Sequence, residues 1–180
     1  MATEEAQDRD AKVALLDGTV KLAQTLKSIY GKEGDHLKNL HSISGTDHLL
    51  GRIDEFIVEV NEYSNVILEA WKHSHLIGHY IKDIKTTLDD IQKCFQKIQQ
   101  KNGITLGFVK SNKKAKVSIL HQTLQSNCAK LLASVTSQSK PLAHDLTAVT
   151  EDMAMRQVNE KEYRDATDWY YGISRPKNYR

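Results

Sequence analysis

The sequence predicts an all-α fold, an antiparallel bundle of four to five helices. Three observations carry this. Apolar residues recur at alternating steps of three and four over long stretches, which places them on one face of a helix. Glycine (9) and proline (2) are scarce among 180 residues, and a sheet built on tight turns would need more of both. Aromatic and β-branched residues do not gather in short alternating runs. A chain of this length suffices for one domain with a sizeable core, and the expected layout is a flexible N-terminus over 1–9, a single bundle domain over 10–165 and an aromatic and basic tail over 166–180.

A first helix covers residues 10–30, with Val13, Leu16, Val20, Ala23, Leu26 and Tyr30 on one side and Gly31 ending it. The connector "GKEGDHLKNLHSISG" has room for one short helical turn around Leu37 and Leu40. Residues 47–70 hold the clearest stripe: Leu49, Ile53, Phe56, Val60, Tyr63, Ile67 and Ala70. Thr46 or Asp47 is placed to cap that helix, because a short side-chain oxygen there meets amides that lack a carbonyl partner. The next stripe, Ile77, Ile81, Ile84, Leu88, Ile91, Phe95 and Ile98, has the spacing of helices packed at a shallow angle.

The segment "KNGITLGFVKSNKK" reads as a glycine-punctuated loop. A further helix then spans about 114–139, carried by Val117, Leu120, Leu124, Cys128, Leu131 and Val135. Pro141 ends that helix, starts a new one or kinks a longer one. Leu142, Leu146, Val149 and Met153 continue the stripe towards residue 163, and Trp169, Tyr170 and Tyr171 are expected to fold back over an open end of the bundle. An interfacial aromatic anchor beside Arg175, Lys177 and Arg180 is the alternative for that tail.

The formal net charge of +2 hides a segregation. Residues 1–90 carry 10 Lys/Arg against 16 Asp/Glu, residues 91–144 carry nine lysines and no acid, and residues 145–180 carry 6 against 7. Seven of the nine, Lys93, Lys97, Lys101, Lys110, Lys113, Lys114 and Lys116, are expected to gather at one pole around the 101–116 turn. A solvated face paired with the acids of the first ninety residues would explain them structurally. A polyanion-binding surface explains them functionally, since each basic residue gains about 1 kcal/mol near an anionic membrane. Nucleic acid would feel the same attraction, but the block has no arginine and only Phe95 and Phe108 as aromatics. Duplex readers use arginine forks and single-strand binders use stacking platforms, so lipid headgroups fit better.

"WKHSHLIGHY", residues 71–80, places His73, His75 and His79 together. His75 and His79, four apart on a helix, are the candidates for sharing a metal ion. The catalytic form of that spacing needs glutamate after the first histidine, and position 76 is leucine. A helix–helix corner is the favoured reading, with Ser74 capping the second helix and Gly78 permitting close approach. Cys94 and Cys128 have no partners at metal spacing and read as small core residues. No phosphate-binding glycine loop or nucleophile elbow occurs, and Asp89 and Asp90 are expected to face water on a helix. The expectation is a non-enzyme with no cofactor and no small-molecule substrate.

The stretch Leu49 to Gln100, in particular "RIDEFIVEVNEYSNVI" and "HSHLIGHYIKDIKTTLDDIQKCF", resembles the N-terminal helical-bundle (HeLo-like) domain of the mixed-lineage-kinase-domain-like cell-death family. The resemblance implies a four-helix bundle followed by a C-terminal brace helix. It also implies a role in programmed cell death or innate immunity, through oligomerisation and binding of anionic phospholipids. The lysines named above are candidates for that contact by their chemistry. No run of ~18 apolar residues suited to spanning a bilayer occurs, and the acidic start "MATEEAQDRD" is unlike a secretory signal. No myristoylation or prenylation signal is present either. The expected location is the cytoplasm, with peripheral contact to an anionic membrane. The alternatives are a cytosolic adaptor or oligomerisation module that binds a protein partner, and a nucleic-acid-binding protein.

Overall fold

A computed structural model of the chain describes residues 4–32, 34–100 and 106–138, with side chains from 112 onward in the last stretch. The described residues form five α-helices and no strand: α1 Glu4–Tyr30, α2 Lys38–His41, α3 Thr46–His73, α4 Leu76–Gln99 and α5 Leu106–Gln138. A single 3-10 turn, Asp35–Leu37, leads into α2. The expected all-α bundle is therefore the observed fold. Pro141, the stripe from Leu142 to Met153 and the aromatic tail lie outside the described residues.

Direction follows from a few contacts. Lys27 pairs with Asp54 near one end of α1, and the Lys12 ammonium sits 5.9 Å from the Trp71 ring centroid near the other, so α1 and α3 run antiparallel. Tyr30 meets Phe95 edge-on with ring centroids 5.1 Å apart, which puts the C-terminal ends of α1 and α4 together. Both α1 and α5 pack along α3 and α4, whereas α3 and α4 meet over only a short stretch. Around the bundle the order is thus α1, α3, α5, α4. The apolar stripes face inwards: Ile53, Ile77, Ile81, Ile84, Leu88, Ile91, Phe95, Val117 and Leu124 are fully buried, and burial of that kind is the main source of helical stability in a bundle.

Local details differ from the sequence reading in physically informative ways. α1 begins at Glu4, ahead of the expected residue 10, with Glu4 and Glu5 in the first turn where the helix dipole favours carboxylates. Gly31 follows α1 because a Cβ there would lie 2.6 Å from the Lys27 carbonyl oxygen. The N-cap of α3 is Gly45 at φ 94°, in the left-handed region that glycine enters without steric cost, and not Thr46 or Asp47. Thr46 is buried and its hydroxyl donates to the Leu40 carbonyl at 3.1 Å, while Asp47 reaches His41 Nδ1 at 2.8 Å. Tyr63 is only half-buried and breaks the helical backbone of α3 (φ −111°, ψ 15°), so the long stripe is carried across a kink.

The corner at residues 71–80 is a helix–helix turn, as expected. Its cap is not the expected one: Ser74 is extended and ends α3, His75 occupies the N-cap of α4 without a side-chain bond, and the Ser74 and His75 carbonyls accept from the Ile77 and His79 amides at 3.3 and 3.4 Å. Gly78 does allow close approach. A Cβ there would fall 2.8 Å from Trp71 Cζ2, so the indole of α3 occupies the space that a side chain on α4 would take.

Candidate polyanion-binding face

The expected loop at 101–114 is shorter than the sequence suggests, because α5 begins at Leu106. Gly107 lies in its first turn, where amides have no intrahelical partner and a glycine costs little. Lys110, Lys113, Lys114 and Lys116 therefore sit on a helix and not in a loop. Lys101 and the side chain of Lys110 lie outside the described residues.

The remaining lysines are placed by two adjacent helices. On α4, Lys93 and Lys97 are exposed one turn apart, alternating with buried Cys94, Phe95 and Ile98. On α5, Lys114 and Lys116 are exposed and Lys113 is half-buried. Burial pushes the Cys94 thiol pKa up, and the positive charges of Lys113, Lys116 and Lys97 oppose that shift. Lys97 in the last turns of α4 and Lys113 and Lys116 in the first turns of α5, two helices that pack against each other, are thus near enough for their charge to act on the Cys94 thiol. Lys93 is different: it pairs with Asp90 at 3.6 Å, across one helical turn.

The other three exposed or half-exposed cluster members on α5, and Lys97 on α4, pair with no carboxylate among the described residues. Several acids of α3 pair away from these lysines. Asp54 holds Lys27, Glu55 and Glu59 hold Arg52, and Glu69 holds Lys72 at 2.6 Å. Charge is sorted across the bundle as well as along it. α1 and α3 carry 11 carboxylates against 6 basic residues, and α4 and α5 carry 9 basic residues against 3 carboxylates. The described members of the expected pole lie in the last turns of α4 and the first turns of α5, on the α4–α5 face.

A second charged cluster has no counterpart in the sequence reading. Arg52, although 7% exposed, donates from Nη1 and Nη2 to Glu59 at 3.2 and 3.1 Å and from Nη1 to Glu55 at 3.1 Å. It lies beside Cys128 of α5, whose thiol burial pushes up to about 12 against the lowering effect of that guanidinium. The signal that could have found it is the 52, 55, 59 spacing, which puts the three residues on one helix face. A groove between the first turns of α1 and the end of α3 is lined by Asp8, Arg9, Lys12, Asn65, Glu69 and Lys72. Its charges are largely matched internally, Lys12 with Asp8 at 2.7 Å and Lys72 with Glu69.

His75 and His79 are exposed one turn apart with ring centroids 6.0 Å apart, edge to face. Among the described residues no group of three or more His, Cys, Asp or Glu is arranged to hold a metal ion. Cys94 and Cys128 are both free and 1% exposed, as expected of core thiols. Asp90 is exposed and Asp89 half-buried. No described helix is long and apolar enough to cross a membrane.

Comparison with known proteins finds no matching family model, no similar curated protein and no similar solved structure.

Proposed function

We propose that this chain is a non-enzymatic helical-bundle protein that binds anionic phospholipid surfaces through the lysines of its α4–α5 face. The observation that carries the reading is the placing of exposed Lys97 in the last turns of α4 and of exposed Lys114 and Lys116 and half-buried Lys113 in the first turns of α5, two helices that pack together, with no described carboxylate paired to any of them. At about 1 kcal/mol per basic residue near an anionic bilayer, four such groups support weak, reversible attachment. Lysine suits such a contact, because its ammonium is a compact point charge on a flexible stem and a headgroup layer offers phosphates at no fixed geometry. The likeness of Leu49 to Gln100 to HeLo-type bundles adds a cell-death or innate-immune setting to the proposal.

Vesicle co-sedimentation tests it. With phosphatidylcholine vesicles containing phosphatidylserine, the protein is expected in the pellet at low salt, and with phosphatidylcholine alone in the supernatant. The triple variant Lys113→Gln, Lys114→Gln, Lys116→Gln is expected to lose most of the bound fraction while keeping its helical circular dichroism. Equal partitioning of the variant and the unaltered chain would overturn the reading. Retention on labelled RNA or DNA in place of vesicles would reassign the same face to nucleic acid.

A further inference from the structure

Two imidazoles stand together at the corner between α3 and α4. His75 and His79 are both exposed, and their rings meet edge to face with centroids 6.0 Å apart. The His79 amide donates to the His75 carbonyl at 3.4 Å, so the backbone between them is one helical turn although His75 stands at the N-cap. Among the described residues neither ring has a hydrogen bond or an ion pair. No other two of the eight histidines lie three or four residues apart in the chain. His41, by contrast, already uses both ring nitrogens, on Asp47 and on the Tyr30 carbonyl. Two imidazoles one turn apart on a helix form a chelate, in which one ion is held by a nitrogen of each. With metal–nitrogen bonds of about 2.0–2.1 Å and a tetrahedral angle between them, the ring centroids would lie roughly 5 Å apart. The observed 6.0 Å closes to that by a small rotation of two exposed side chains that no other described bond restrains.

We propose that His75 and His79 bind one late first-row divalent cation, such as Zn2+, with water in the remaining positions. Imidazole nitrogen suits zinc, copper and nickel, whereas magnesium and calcium take oxygen ligands. Among the described residues no group of three His, Cys, Asp or Glu is arranged around an ion, so the site is open and exchangeable, unlike the closed four-ligand sites that build a fold. The positive end of the α4 dipole opposes a cation here, but that effect falls off within the first turn. Asp83, four residues beyond His79 on the same face, is exposed and without an ion pair among the described residues, so its charge offsets the dipole. Lys82 on that side carries its charge on a long flexible stem that swings into solvent. The N-cap of α4 makes no side-chain hydrogen bond, and an ion joining His75 to His79 ties this uncapped turn together. Because the helical turn is what holds the two rings side by side, the ion binds the folded chain and stabilises it.

The test uses the full chain in lipid-free solution, so that it stands or falls apart from vesicle binding. Isothermal titration with Zn2+ is expected to show uptake by the unaltered chain, and titration with Mg2+ none. Zn2+ is also expected to raise the melting temperature. His75→Ala and His79→Ala remove exposed side chains and leave the core untouched, so both variants keep their helical circular dichroism. Each is expected to weaken Zn2+ binding at least about tenfold, since even a group that only supports a metal ligand contributes that much, and to lose the rise in melting temperature. His73→Ala, two residues away at the end of α3, is expected to bind as the unaltered chain does. No uptake of Zn2+, uptake that both single variants retain, or a loss in His73→Ala as large as in His75→Ala would each overturn the inference.

Discussion

Asn127 Nδ2 donates to Thr87 Oγ1 at 3.4 Å across the α4–α5 contact, where the two residues are 9% and 5% exposed. Thr87 uses its own proton on the Asp83 carbonyl at 2.8 Å, so the hydroxyl accepts from one helix while donating within the other. A polar residue inside an apolar stripe is thereby satisfied inside the bundle, and it fixes how far α5 can slide along α4.

The two partners are unequal, which gives the first prediction. Thr87→Val removes the acceptor and leaves a buried amide unpaired, a loss of about 1–3 kcal/mol. Asn127→Leu removes the donor, but Thr87 remains satisfied by Asp83, so the cost is expected to stay within about 1 kcal/mol. Urea midpoints of the two variants decide it; equal destabilisation would contradict the asymmetry.

Arg52 offers the second. Its guanidinium is held by Glu59 and Glu55, whose side chains are 24% and 52% exposed, so solvent already screens part of the attraction. Arg52→Ala, which removes both the charge and the packed stem, is expected to cost about 2–4 kcal/mol. Arg52→Met keeps the stem and is expected to recover about half of that loss. Thermal or urea denaturation of both variants checks it, and identical losses would show that packing of the stem contributes nothing.

What is legible in the sequence depends on how local its cause is. The α4 stripe from Ile77 to Ile98 is buried at every predicted position, because helical periodicity is a local property that tertiary contacts only confirm. The start of α5 is hidden because Gly103 and Gly107 look like turn residues, yet a glycine in a first helical turn carries little penalty. Capping at Thr46 and Ser74 is equally hard to read, since the preceding residue's backbone and the burial of Thr46 decide the geometry. Counting charges finds the lysines, but which of them come near one another depends on how α5 packs on α4, a non-local matter that periodicity does not report.

Glycines supply a third prediction through contrast. Gly78→Ala pushes a methyl into the Trp71 ring, 2.8 Å away, and the indole is 8% exposed with little room to move. Overpacking of about 1–3 kcal/mol is expected to exceed the gain of about 1 kcal/mol in helix propensity. At Gly18 and Gly51 a Cβ would meet nothing within 4 Å, so Gly18→Ala and Gly51→Ala are each expected to stabilise by about 0.5–1 kcal/mol. Melting temperatures of the three single variants test the difference in sign.

The fourth concerns alkaline pH. Burial raises the Cys128 thiol from 9.0 to about 12, and it also raises Cys94 and Tyr30 above their ordinary values. Between about 9 and about 12 the unfolded chain has lost a thiol proton that folded Cys128 still holds. The native state then binds more protons than the unfolded one, and stability falls as pH rises. This contribution is fully present below the unfolded value and is lost as pH climbs through the folded one, with a slope of about 1.4 kcal/mol per pH unit for each retained proton. Urea denaturation measured from about pH 8 to about pH 11 is expected to show that decline. Cys128→Val removes one of the responsible protons, so its stability curve should be flatter by up to one proton's slope across the same range. A variant curve that runs parallel to the unaltered protein's would mean that folded Cys128 ionises as readily as an exposed thiol, contrary to its burial beneath α3.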